Sequence, residues 1–326
     1  MNLDPRSLLL AGSLASAVAL AGCSGSEAPA PESSAAQPSE EAAETPVAPS
    51  AESIAALTDT VSEAADEGAA AAAILAALGG DHRSEGAAAR DPYRHPVETL
   101  GFFGIRPDMT VVEVWPGGGS AWYTEVLAPT LADGQLVAAS YDAASEGYFG
   151  RAATAYAEKL AANPDVYGNV TTLVYADPAA ANLGTDGSAD AVLLFRLYHN
   201  AIRGETEDDI MADAFAALKP GGILGVVQHR SPEDAPAERE RRDGYVKESK
   251  VIADAEAAGF VLEARSEINA NPDDTHEHEN GVWTLPPVLA LCGDMDDEAT
   301  KAACRATWQA IGESDRMTLK FVKPTA

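Results

Sequence analysis

The sequence predicts a doubly wound α/β domain, in which a mainly parallel sheet carries helices on both faces. Two observations predict it. An apolar run at 111–115 stops at Pro116, is followed by Gly117, Gly118 and Gly119, and leads into helical spacing at 120–128. Strand, glycine turn and helix form the opening unit of such domains. Beyond it, apolar runs of strand length alternate with helical stretches to the end of the chain, the pattern that places helices over a parallel sheet.

The elements follow in order. Residues 51–78 are alanine-rich and helical in spacing, and Gly79-Gly80 end them. Pro96 suits the first turn of a short helix carrying Val97, Leu100 and Phe103. The polar cluster before it, Arg90, Asp91, Tyr93, Arg94 and His95, reads equally as a capping cluster or as one wall of a pocket. After the glycine turn, strands are expected at 136–141 (before Asp142), 170–176 (before Asp177-Pro178) and 191–195 (before Arg196). Helices are expected at 152–160 and 208–218, the second closed by Lys219-Pro-Gly-Gly222. A strand at 223–228 ends in His229-Arg230, a helix spans 248–258, and strands follow at 260–268 and 317–322. That makes seven strands.

Composition excludes some functions. The chain has 326 residues and a formal net charge of −29. Such a surface repels phosphate backbones, so nucleic acid is excluded as a partner and a small-molecule substrate is expected. Arg6 and an apolar stretch at 8–21 lead to Leu20-Ala-Gly-Cys23, with small residues before the cysteine. The tetrapeptide resembles the bacterial lipobox, which implies a signal peptide at 1–22 and lipid on the Cys23 thiol. Ser24 follows, which by the same resemblance favours the periplasmic face of the outer membrane. Residues 23–50, rich in Pro, Ala, Ser and Glu, read as a disordered tether. The segment 51–89 then reads as a helical extension of the main domain at 90–326. Cys292 and Cys304 remain, an even pair in an exported chain, and a disulfide is the natural reading.

In open α/β sheets ligands bind at the carboxyl ends of the strands. Glu113, Pro116, Gly117, Gly118 and Gly119 stand at the first such end. Asp142 and Asp177 end neighbouring strands, spaced for ribose hydroxyls and an adenine amino group. His199 and Asn200 are candidates to accept a proton and position an acceptor, with His229 at the next strand end. Arg196 and Arg230 are cations suited to a carboxylate or phosphate. Tyr245 and His95 are further candidates for contact with substrate. His276 and His278 form a His-x-His pair in an acidic loop, too little for a metal site, and no metal is expected.

The order of parts resembles the class I S-adenosylmethionine-dependent methyltransferases. The run Glu113-Val-Trp-Pro-Gly-Gly-Gly119 is similar to their first motif, and Leu218-Lys-Pro-Gly-Gly222 to a later signature. Within that superfamily the chain resembles a bacterial group of predicted exported methyltransferases. Arg94-His-Pro-Val-Glu-Thr-Leu100, Trp122-Tyr-Thr-Glu125, Gly281-Val-Trp-Thr-Leu-Pro-Pro287 and Glu313-Ser-Asp-Arg316 carry that likeness. It implies a Rossmann-like methyltransferase fold with a closing antiparallel strand, S-adenosylmethionine as cofactor and methyl transfer as activity. Three features depart from the pattern. Trp115 stands where the first glycine usually falls, the ribose acid position falls on Ser140 with Asp142 two residues later, and residues 285–312 look inserted. A degenerate fold serving as an envelope binding module is the alternative. The glycines do not make the G-x-G-x-x-G fingerprint of a dinucleotide oxidoreductase.

Overall fold

The computed structural model describes residues 51–325, with side chains from residue 65 onward. The expected signal peptide, Cys23 and the tether lie outside the described residues. Eleven helices and eight strands make up the described chain. The helices are α1 (Ala51–Leu78), α2 (Asp91–Arg94), α3 (Pro96–Phe102), α4 (Trp122–Thr130), α5 (Gly147–Ala162), α6 (Pro164–Tyr167), α7 (Tyr198–Gly204), α8 (Glu207–Ala217), α9 (Glu238–Asp243), α10 (Glu248–Ala257) and α11 (Glu298–Gln309). The strands are β1 (Thr110–Val114), β2 (Gln135–Ser140), β3 (Val170–Val174), β4 (Ala189–Phe195), β5 (Leu218–Ser231), β6 (Val246–Lys247), β7 (Val261–Ser266) and β8 (Arg316–Val322).

The sheet order is β3-β2-β1-β4-β5-β8-β7, and β6 pairs with β5 outside that path. The strands β1 to β5 run parallel, while β8 runs antiparallel to both β5 and β7. This is a doubly wound, Rossmann-like topology with an antiparallel closing strand, as the sequence predicts. Its chain order reverses between β1 and β4, the crevice where such sheets bind ligands.

Burial follows position in the sheet. The central strands β1 and β4 are almost wholly buried, whereas β3 and β7 at the edges are largely exposed. Central parallel strands are covered on both faces and so read as continuous apolar runs. One face packs Leu100, Phe103, Trp122, Val126 and Leu127 with Ile74 and Ala77 of α1, so the N-terminal extension is part of the core. The other face packs Tyr198, Ile210, Met211, Val251 and Phe260. Among the described residues no helix is long and apolar enough to cross a membrane.

Several boundaries differ from the expectation by a residue or two, and three differences are larger. The Lys219-Pro-Gly-Gly222 segment begins β5, because Gly221 donates to Lys323 and Lys323 to Gly222 across the pair with the C-terminal chain. The two-residue β6 is additional, too short to leave a periodic trace. Helix α5 begins at Gly147, five residues ahead of the apolar pattern, since its first turn is exposed. Cys292 and Cys304 form a disulfide that ties α11 to the preceding turn.

Candidate functional site

A cavity of about 500 Å³ opens at the carboxyl ends of β1, β4 and β5. The strand β1 delivers Glu113 to its wall, followed by Trp115, Pro116 and Gly117. Gly117 has φ +91°, and a side chain there would meet only open space, so this glycine frees the backbone toward the cavity. Gly118 and Gly119 do not line it. They face α5, where a Cβ would make ordinary contact with Ala152 and Ala155 at 3.5 Å, so crowding does not demand glycine at either position.

Glu113 is buried at 2% exposure and accepts a 2.6 Å hydrogen bond from Thr124 of α4. Burial pushes its carboxyl up to about 8, against the opposing effect of that bond, so it keeps its proton at neutral pH. His199, Asn200, Arg196 and His229 all reach the cavity from the ends of β4 and β5. His199 does not titrate near neutrality as its strand-end position suggests. Burial, with Arg203 and Arg196 nearby, lowers it to about 3, and it stays a neutral imidazole beside Gln228. His229, bonded to the Ser314 hydroxyl, is lowered for the same reasons.

Several candidates stand elsewhere. Arg230 turns away from the cavity and is held by Glu267 and Asp315 at 2.8 and 2.9 Å. Tyr245 is buried behind His229 and donates to Asp274. His95 serves as the left-handed link between α2 and α3, at φ 41°. Asp142 accepts from the Ala144 backbone N–H and shapes the turn into α5. Asp177 is exposed and borders a separate pocket of about 310 Å³. His276 and His278 pair with the carboxylates of Asp315 and Asp274.

Trp115 separates the two pockets and lines both. Its ring stacks on Tyr141 after β2, with centroids 5.2 Å apart, and its Nε1 donates to the Tyr175 carbonyl beyond β3 at 2.7 Å. Only 9% of the residue is exposed, and φ is +46°, a left-handed value that an L-residue adopts at a cost.

S-adenosylmethionine is the cofactor that the motif resemblance implies. The Glu113, Pro116 and Gly117 corner fits its methionine end, since an acid and open backbone flank free space there. The nucleoside end does not fit the groove in this conformation. The indole covers the path from that corner to Asp177, and neither Asp142 nor Asp177 borders the main cavity.

Other cavity residues carried weaker sequence signals. Arg90 and Arg94 belong to the polar cluster that sequence left balanced between cap and wall, and both line the cavity. Glu313 holds them from behind, at 2.8 and 3.1 Å. Trp122, Tyr123, Trp283 and Arg203 also line the wall. Of these, Arg203 alone lies outside the motif runs quoted above.

No family model matches the sequence, and no curated protein matches it. Solved structures resemble it distantly. The [4+2]-cyclase SpnF has TM-score 0.49 and 15% identity, with 76% of this chain and 86% of that one covered. A putative sarcosine dimethylglycine methyltransferase from Galdieria sulphuraria has TM-score 0.49 and 12% identity, covering 74% and 92%. The geranyl diphosphate C-methyltransferase of Streptomyces coelicolor A3(2), in complex with Mg2+, geranyl diphosphate and S-adenosyl-L-homocysteine, has TM-score 0.46 and 14% identity, covering 76% and 87%.

Proposed function

We propose that the chain is an S-adenosylmethionine-dependent methyltransferase acting on a small molecule. The observation that carries this reading is the cavity of about 500 Å³ at the switch point of β1 and β4, with Glu113 and Gly117 at its cofactor corner. The cofactor, when bound, supplies the methyl group. The chain's own residues orient the acceptor and exclude water. Asn200 stands at the mouth of both pockets, where it can position an acceptor. His199 and His229 are neutral and buried, so they serve as hydrogen-bonding walls rather than as strong bases.

The reading requires the Trp115 indole to leave its slot when the nucleoside enters. One hydrogen bond and one stack hold it, against the cost of a left-handed backbone. Calorimetric titration of the purified protein with S-adenosylmethionine and S-adenosylhomocysteine tests it. Micromolar binding that is lost in Gly117→Val supports the assignment, and absence of binding by folded protein at millimolar ligand overturns it.

Trp115 also favours a second reading, a binding module without catalysis in which the indole permanently fills the nucleoside groove. Binding of S-adenosylmethionine by the wild-type protein sinks that alternative.

We further propose that the protein is a lipoprotein of the cell envelope, anchored through Cys23. The lipobox-like Leu20-Ala-Gly-Cys23 supports this, as does a disulfide suited to an oxidising compartment. Metabolic labelling with a fatty-acid analogue, lost in Cys23→Ser, is the expected result, and unlabelled wild-type protein would refute it.

A further inference from the structure

We propose that the inner wall of the main cavity is an oxyanion site, built to take a small organic acid or phosphate ester with a flat apolar body. The inference concerns binding of this acid alone and stands apart from the methyl-transfer reading.

The basis is an imbalance of buried charge. Arg90, Arg94, Arg196 and Arg316 all converge on one carboxylate, Glu313, at 2.8, 3.1, 3.4 and 3.1 Å. Four guanidinium groups thus share one negative charge. Neighbouring acids do not offset the rest. Asp315 is held by Arg230 and His276, Asp91 is held by Arg83, and Glu113 keeps its proton. Desolvated charge of one sign is costly unless a partner balances it. In a chain whose net charge is −29, this concentration of cations is not a property of the surface at large.

The geometry shows where an anion would be held. Arg90 and Arg94 reach Glu313 through Nε, and among the described residues their terminal nitrogens have no hydrogen-bond partner. Arg196 has a buried Nε with no hydrogen-bond partner among the described residues, and its φ of 59° is a left-handed value. These three side chains line the cavity, whereas Arg316 and Glu313 stand behind it. Forked guanidinium donors match the paired oxygens of a carboxylate or phosphate.

Aromatic rings form much of the remaining wall. Tyr123 stacks face to face on Phe195, and Arg94 lies over the Trp122 ring at 4.7 Å. Trp283, backed by Arg203 at 4.1 Å, borders the opposite side. Val288, exposed at 55%, stands with Tyr148 and Phe149 among the lining residues. An acid with an aromatic or similarly flat body satisfies both halves of this surface.

Calorimetry at low ionic strength with benzoate, phenyl phosphate, inorganic phosphate and neutral benzamide tests the proposal. Binding of benzoate or phenyl phosphate, at least tenfold tighter than benzamide, is expected, and the stronger of the two separates a carboxylate site from a phosphate site. Inorganic phosphate, lacking the body, binds more weakly than phenyl phosphate. Arg196→Met should weaken the preferred anion at least tenfold. It should also raise the melting temperature of the ligand-free protein, because it removes unbalanced charge. A merely structural arginine gives the opposite shift. Arg90→Gln, nearer the solvent, provides a second variant with the same expected loss of binding. Benzamide binding as tightly as benzoate, unchanged anion affinity in both variants, or a destabilised ligand-free Arg196→Met would each overturn the proposal. None of these results depends on S-adenosylmethionine, whose titration is read separately.

Discussion

Replacing Trp115 by glycine restores the residue type usual at the first position of the glycine motif and tests whether the indole acts as a gate. Displacing the ring forfeits its burial, about 1.5–3 kcal/mol, and the Nε1 hydrogen bond to Tyr175, about 1 kcal/mol. It recovers some of the left-handed backbone cost at φ +46°, about 1–2 kcal/mol. A ligand that must move the indole therefore loses about 1–3 kcal/mol of affinity, or roughly 5- to 150-fold. Trp115→Gly removes that requirement and joins the two pockets of about 500 and 310 Å³. Calorimetric titration with S-adenosylmethionine should thus show tighter binding by a factor in this range, while urea unfolding shows a loss of about 1–3 kcal/mol in stability from the vanished burial. Unchanged or weaker cofactor binding in a folded variant refutes the gate and makes the indole a fixed part of the wall.

Three other perturbations have defined outcomes. Glu113 is raised to about 8, so between about 4.5 and 8 the unfolded chain loses a proton that the folded chain keeps, and stability falls as pH rises. His199 is lowered to about 3, so below about 6.5 the unfolded chain gains a proton first, and stability falls as pH drops. Each group contributes a slope of about 1.4 kcal/mol per pH unit within its window, the two opposing one another where the windows overlap; urea titrations across pH should lose the fall between about 6.5 and 8 in Glu113→Gln and part of the acid-side fall in His199→Gln, where the lowered His229 supplies the rest, and unchanged pH profiles in both variants contradict the burial argument. Reduction of the Cys292–Cys304 bridge removes a cross-link worth about 3 kcal/mol to its segment. Because α11 buries no residue, the expected signature is faster amide exchange at 290–309 with an unmoved global midpoint; a large fall in that midpoint contradicts it. Buried Glu125 accepts from the Ser84 backbone at 2.9 Å and from Lys159 at 2.6 Å, so Glu125→Ala leaves Lys159 unpaired and should cost about 3–5 kcal/mol by chemical unfolding, a result under 1 kcal/mol being inconsistent with that tie.

The sheet was readable in the sequence because burial on both faces makes β1 and β4 continuous apolar runs between glycine and proline breaks. Gly117 and Glu113 were readable for a similar reason, since a strand-to-helix turn fixes where they must stand. Strand-end position does not determine where a long side chain points. Arg196 enters the cavity while Arg230 turns to Glu267 and Asp315, and only the packed loops after β7 decide between them. Tyr245 and Asp142 were taken from the cavity by local partners, Asp274 and the Ala144 N–H. Glu313 was legible as part of a motif but not as the hub of four arginines, because its partners lie up to 223 residues away in sequence. Charge balance inside a cavity is a property of the assembled fold.

The placement of the aromatic rings also has an optical consequence. Three of the four tryptophans, Trp115, Trp122 and Trp283, border the main cavity, and the fourth, Trp308, sits against His278 on α11. The unlabelled protein is thus its own fluorescent sensor. An indole swinging from the shelter of Tyr141 into water shifts its emission to longer wavelength, and an anion settling beside Trp122 alters the yield without that shift. The two events, cofactor entry and acid binding, can be told apart in one cuvette.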